Sequence, residues 1–83
     1  MLDAEILRLE EARKPYSRSK FYELIQRGLM PRQIPLGPRA VGWPRVEREA
    51  VNRAIIAGCS EDEIRALVEK LHADRKNFAP RID

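Results

Sequence analysis

Five of the chain's six prolines and three of its four glycines fall in one segment, PYSRSKFYELIQRGLMPRQIPLGPRAVGWP, residues 15–44. Proline lacks a backbone N–H and its ring clashes with a continuing helix, so Pro15 ends any helix arriving through EEARK. Between Pro15 and Gly28 there is room for one short helix. Ser17 suits its N-cap, because a serine hydroxyl accepts an orphan N–H of the first turn. Phe21, Leu24 and Ile25 recur at three and four and mark one buried face. Gly28 ends the helix by tolerating a left-handed backbone, and Pro31 forbids resumption. In the stretch that follows, RQIPLGPRAVGW (residues 32–43), Ile34, Leu36, Val41 and Trp43 mostly alternate with other neighbours around a Gly37-Pro38 turn signal. That pattern predicts a short two-stranded hairpin. Pro35 and Pro38 cannot donate ladder hydrogen bonds, so at least one strand is an edge. Trp43 is assigned to packing the hairpin onto the helices.

Residues 5–9, EILRL, suit either a short strand or the start of a helix, and EEARK continues as a brief helical segment. After the hairpin, Pro44 fits the first turn of a helix. The stripe of that helix is Val46, Ala50, Val51, Ala54 and Ile55, and Gly58 ends it. Ser60 with Glu63 three residues on forms a capping box, and Asp62 also favours the positive end of the dipole. Ile64, Leu67, Val68 and Leu71 then give a clean apolar face. The tail NFAPRID is expected to fray. A short helix, a tight turn, a second helix and a hairpin make a mainly α fold with a small β-hairpin wing, a winged helix-turn-helix extended by a C-terminal helical pair. One domain over residues 1–83 is expected. The helix-turn-helix lies at about 10–28, the wing at about 31–43 and the later helices at about 45–57 and 60–75.

At 83 residues with 43% hydrophobic content the chain is a small folded domain rather than a disordered one. So small a core leaves little surplus stability, and support from a partner, a dimer or a ligand is expected. The single cysteine, Cys59, excludes an internal disulfide and a multi-Cys zinc site, which fits a reducing compartment. No apolar run has membrane-spanning length, and the acidic start MLDAEILRLEE does not read as a signal peptide, so a cytoplasmic, nucleoid-associated protein is expected. Catalytic constellations are missing. His72 stands alone and reads as a solvated histidine, Cys59 as a packed or partly exposed thiol, and GPRAVG lacks the glycine pattern and following Lys-Ser/Thr of a phosphate loop. A non-enzymatic protein without cofactor or metal is the expectation.

The net charge of +3 is unevenly spread. Residues 13–45 carry eight basic side chains against Glu23 alone, whereas residues 1–12 carry Arg8 against four acidic groups and residues 46–83 carry seven basic against eight acidic. A basic middle between neutral or acidic flanks is the footprint of a face that meets polyphosphate. Ser17, Arg18, Ser19 and Lys20 occupy the cap and first turn of the helix, where backbone N–H groups and the dipole attract phosphate and where a recognition helix reaches base edges. Tyr22 either faces outward toward DNA or packs under the wing. Arg27 at the end of that helix, Arg32 where the first wing strand begins and Arg39 directly after the hairpin turn complete the candidate DNA-binding set. Arginines near a hairpin tip suit a narrow minor groove or the flanking phosphates.

SRSKFYELIQRG followed by MPRQIPLGPRAVGWP resembles the AlpA family of small phage-type regulators, which are related to excisionases and more distantly to MerR-type winged helices. The resemblance spans about residues 6 to 51, and LGPRAVGW is its specific part. It implies a DNA-binding winged helix-turn-helix that regulates mobile-element or prophage genes. Ser17, Arg18, Ser19 and Tyr22 fall on the recognition-helix motif and Arg39 on the wing motif. Three departures stand out. The segment before SRS is shorter and lacks the usual Thr-Gly, Lys20 replaces a Ser or Thr, and Arg48 stands where an apolar residue is usual. The expected function is sequence-specific binding of double-stranded DNA in transcriptional regulation, with a homodimer or a cooperative oligomer on DNA left open. The alternatives are an excisionase-type DNA-bending factor and a protein-interaction module working through the C-terminal helices.

Overall fold

A computed structural model describes residues 5–78 of the protein. The elements run β1 (Ile6–Leu7), α1 (Leu9–Ala12), α2 (Arg18–Gln26), β2 (Ile34–Gly37), β3 (Ala40–Pro44), α3 (Arg45–Ile56) and α4 (Glu61–Asp74), closed by a 3₁₀ turn over Arg75–Phe78. This is a mainly helical fold with a small antiparallel sheet of order β1-β3-β2, compatible with a small winged helix-turn-helix. The tail expected to fray therefore begins inside the 3₁₀ turn, and residues 79–83 lie outside the described residues.

The helix ends follow from local chemistry. Ser17 Oγ accepts the Lys20 N–H at 3.1 Å. Gly28 takes a φ of 77°, which lets its N–H reach the Ile25 carbonyl and that of Leu29 reach Leu24, a Schellman closure. Gly58, at φ 81°, closes α3 the same way, with Cys59 N–H on the Ala54 carbonyl. Ser60 and Glu63 form the reciprocal capping box of α4. Pro44 stands just outside the first turn expected for it: it ends β3 and occupies the N-cap of α3, which starts at Arg45.

The expected hairpin gains a third strand. Ile6 pairs with Pro44 and Leu7 with Trp43, while β2 sits on the other side of β3 with Ile34 opposite Gly42 and Gly37 opposite Ala40. Both readings of residues 5–9 hold in turn, a strand at Ile6–Leu7 and a helix from Leu9. The proline-bearing strand β2 is an edge. Pro38 and Arg39 form the two-residue turn, so Arg39 lies in the turn rather than after it. A side chain at Gly42 would run into Ile6 and Leu36, which is why the middle strand carries a glycine there.

Trp43, Phe21, Met30 and Val51 are wholly buried and form the centre of the core with Ala12, Leu24, Leu29, Ile64 and Val68. Leu67 and Leu71 are half-buried and pack against it, so the apolar face of α4 is spent on the protein's own interior.

In α3 the expected face is displaced. Val51 is buried, but Val46 and Ile55 are exposed, and the other buried positions are Glu47 and Arg48. The reason lies in partners from distant parts of the chain. Arg48 donates from Nε to the Ala12 carbonyl at 2.6 Å and from Nη2 to the Lys14 carbonyl at 3.0 Å, while its guanidinium lies 5.9 Å from the Phe21 ring centroid. Glu47 accepts from Nε and Nη2 of Arg75 at 2.9 and 2.7 Å. A buried charge is tolerated when its hydrogen bonds are made, and every buried side-chain N or O among the described residues has a partner. Arg48 thus serves as the missing C-cap of the four-residue α1, whose last carbonyls have no continuing helix to take them.

Arg48→Met keeps the side-chain length and removes every donor. It leaves the Ala12 and Lys14 carbonyls unpaired and is expected to lower unfolding stability by about 2 kcal/mol. Urea denaturation followed by circular dichroism measures this, and an unshifted midpoint would show that the two carbonyls find water instead.

Candidate functional site

Residues 17–20 are all exposed at the start of α2. With Lys20 N–H taken by Ser17 Oγ and Phe21 N–H by the Ser17 carbonyl, the amides of Arg18 and Ser19 make no hydrogen bond to another described residue and face outward at the positive end of the dipole. Arg18 forms no ion pair with another described residue, whereas Lys20 Nζ makes a loose one with Glu23 at 3.4 Å. The local field is positive. Hydrogen bonds from Arg13 hold the Glu10 carboxyl below its ordinary value against the opposing effect of desolvation, and the charges of Arg18 and Lys14 act in the same direction as Arg13.

Tyr22 packs under the wing and is also partly open. Its ring stands edge-on to Phe21 and Trp43, with centroids 6.1 and 6.3 Å away, yet the residue keeps 37% of its surface open. Trp43 in turn packs with its ring tilted at 59° to that of Phe21, centroids 5.1 Å apart, and donates its Nε1–H to the Pro31 carbonyl at 3.0 Å. The outer side of α2 and the base of the hairpin are therefore neighbours, and Arg39 stands exposed at the hairpin's far end without an ion pair to another described residue.

Arg27 and Arg32 are placed differently. Arg27 pairs with Glu61 at 3.1 Å and more loosely with Glu23, and its carbonyl accepts from Arg65, so it belongs to the junction of α2 with α4. Arg32 is tied to His72. Its backbone N–H lies 3.1 Å from Nε2 and its Nη1 3.2 Å from Nδ1, while its carbonyl accepts from Arg75. The eight candidate residues thus divide into an open group, Ser17, Arg18, Ser19, Lys20, Tyr22 and Arg39, and a pair engaged in holding α4.

His72 is half-buried in this junction and not a solvated histidine. Sequence reasoning could not see it because Arg32 lies 40 positions away. Arg48 did leave a signal, since it stood where an apolar residue was expected. Desolvation first, and then the nearby charges of Arg75 and Arg32, lower the His72 pKa against the weaker opposing pull of Glu47 and Glu69. Geometry agrees: both ring nitrogens face donors, so a neutral ring can accept one hydrogen bond and an imidazolium none. Cys59 is a half-buried free thiol packed beside the core.

The family model described as prophage CP4-57 regulatory protein (AlpA) matches residues 5–50, more than half of the chain. The match runs from β1 into α3 and stops before α4. No curated protein and no solved structure matches the chain. No described helix is long and apolar enough to cross a membrane.

The His72 contacts fix a pH dependence. Unfolded, the ring titrates near its ordinary 6.5, and in the fold it resists the proton. As pH falls below that value the unfolded chain binds more protons than the folded one, so the stability present above it is lost toward the lower folded pKa. The thermal midpoint is expected to drop between about pH 7.5 and about pH 5.5 by more in the wild type than in His72→Gln, whose amide oxygen still accepts from Arg32. Equal drops in the two proteins would remove His72 as the source.

Proposed function

The chain belongs to the AlpA family of prophage regulatory proteins, and we propose that it acts by binding double-stranded DNA in a sequence-specific way, as a non-enzymatic regulator working at the nucleoid. In this reading residues 1–83 form one DNA-binding domain. The first turn of α2 enters the major groove, where Ser17, Arg18, Ser19, Lys20 and Tyr22 meet phosphates and base edges. The β2–β3 hairpin is the wing, and Arg39 at its tip meets the adjacent minor groove or its phosphates. Arg27 and Arg32 act indirectly, by fixing α4 against α2 and the wing.

The observation that carries this reading is the outward Arg18, without an ion pair among the described residues, and the open amides of Arg18 and Ser19, on a helix whose side is docked, through Phe21, Tyr22 and Trp43, to a hairpin ending in an exposed arginine. Two cationic elements in fixed relation suit the two rails of a duplex. The remaining polar groups of the junction are already satisfied within the chain and offer less to a ligand.

Selection of bound sequences from a random duplex pool, followed by footprinting, tests the reading directly. A site of about one helical turn per protomer is expected. If about five to seven phosphates are engaged, log affinity should fall with log salt at a slope on the order of −5. Arg18→Ala combined with Lys20→Ala should weaken binding at about 150 mM salt by at least about tenfold and flatten that slope by about 2, with helicity unchanged. Arg27→Ala should leave the slope alone. Unchanged affinity in the double variant would remove α2 from the interface.

A further inference from the structure

We propose that the outward face of α3 pairs antiparallel with the same face of a second copy of this chain. Val46, Glu49, Arg53 and Ile56 lie at spacings of three, four and three, directly opposite the buried Glu47, Arg48 and Val51. All four are open. Ile56 keeps 86% of its surface and Val46 44%, the largest aliphatic exposure on any described helix, and the Glu49 and Arg53 side chains lie between them. A loose contact of 3.9 Å is the one ion pair these two make among the described residues.

The order of the four residues selects the occupant. They are symmetric in position about Val51, so a two-fold axis crossing α3 at that level sets Val46 against the partner's Ile56 and Glu49 against the partner's Arg53, each contact made twice. Parallel pairing in register would instead set Glu49 on the partner's Glu49 and Arg53 on the partner's Arg53, which is repulsive. An isologous interface requires a self-complementary patch, and this face has one, with aliphatic ends and a central pair of opposite charges. Two helices of this length bury less than the standard interface of about 1,600 Å², so the association is weak and reversible. It involves none of the residues assigned to DNA.

The full chain without DNA, at high micromolar concentration and low salt, is examined by sedimentation equilibrium. The wild type should show a reversible monomer–dimer equilibrium. Arg53→Glu places glutamates at all four central positions of a homodimer, and Glu49→Arg places arginines there. Each variant alone should dissociate at least about tenfold more readily. An equimolar mixture of the two should recover the dimer as a heterodimer, because every contact is then opposite in sign. Ile56→Asp should abolish association. Circular dichroism verifies that each variant is folded, and the mixing result stands whether or not Ile56→Asp folds. A monomeric wild type, a mixture that stays monomeric, or charge variants that dimerise like the wild type would each overturn the proposal. The last result would place the contact on another surface. Since DNA is absent throughout, failure of this pairing leaves the DNA reading standing, and failure of DNA binding leaves the pairing measurable.

Discussion

The fold depends on one indole. A two-stranded hairpin is marginal in water on its own, and this one is weaker than most because β2 carries Pro35 and has a broken register between Pro35 and Gly37. Trp43 supplies the missing support. Its ring is completely buried against Phe21 and its N–H is satisfied by the Pro31 carbonyl, so the residue that starts the loop into β2 is pinned by the residue near the end of β3. Beside it Gly42 leaves the space that Ile6 and Leu36 occupy, which lets β1 close the far side of β3. Docking of the hairpin and docking of α2 are therefore one event. A ligand that reaches the open side of α2 meets the hairpin at a distance fixed by a packed aromatic cluster and not by a flexible tether.

Local signals carried most of the architecture in the sequence. Ser17, Gly28, Gly58 and the Ser60–Glu63 box each act within a few residues, through backbone groups that any helix end must satisfy, and each does in the fold what its residue type allows. The open part of the candidate site was legible for the same reason, because Ser17, Arg18, Ser19 and Lys20 are contiguous and their exposure follows from the cap. What escaped was set by contacts of long sequence separation. Apolar periodicity put Val46 and Ile55 inside α3 and had no means of knowing that Ala12 and Lys14 carbonyls, 36 and 34 positions away, needed the Arg48 donors. Glu47 is buried for an arginine 28 positions later. With those two polar residues turned inward beside Val51, the helix is rotated about its axis and Val46 and Ile55 come out.

The basic middle of the chain is less available than its composition suggests. α4, which lies beyond the family match, brings Glu61 to Arg27 and His72 to Arg32, and the following turn brings Arg75 to the Arg32 carbonyl and to Glu47. Arg13 is likewise held by Glu10 and the Tyr16 carbonyl. What remains open among the described residues is Lys14, Arg18, the loosely paired Lys20 and Arg39. Exposed ion pairs add little stability one by one, so the chief consequence of α4 is orientation: it braces the end of α2 and the entry to the hairpin from one side. A charge excess spread over 33 residues is thereby concentrated around the start of α2 and at the hairpin tip.

α3 is partly inverted relative to an ordinary surface helix, with a carboxylate and a guanidinium inside beside Val51, and Val46, Ile55 and Ile56 outside. The inward half of that inversion is explained by Arg75 and the end of α1. The outward half has no such account within the chain, since leaving the large aliphatic side chains of Val46, Ile55 and Ile56 in water forgoes the roughly 1.5–3 kcal/mol that fully burying each would contribute. Isolated exposed apolar residues are common and need no cause. Here, however, Val46 and Ile56 bracket an acid and a base at spacings that a two-fold axis maps onto each other, and the order of charges decides between the two ways of pairing. The face that packs the core and the face that meets a second copy are then opposite sides of a single twelve-residue helix, and Arg48, by turning the helix, sets both.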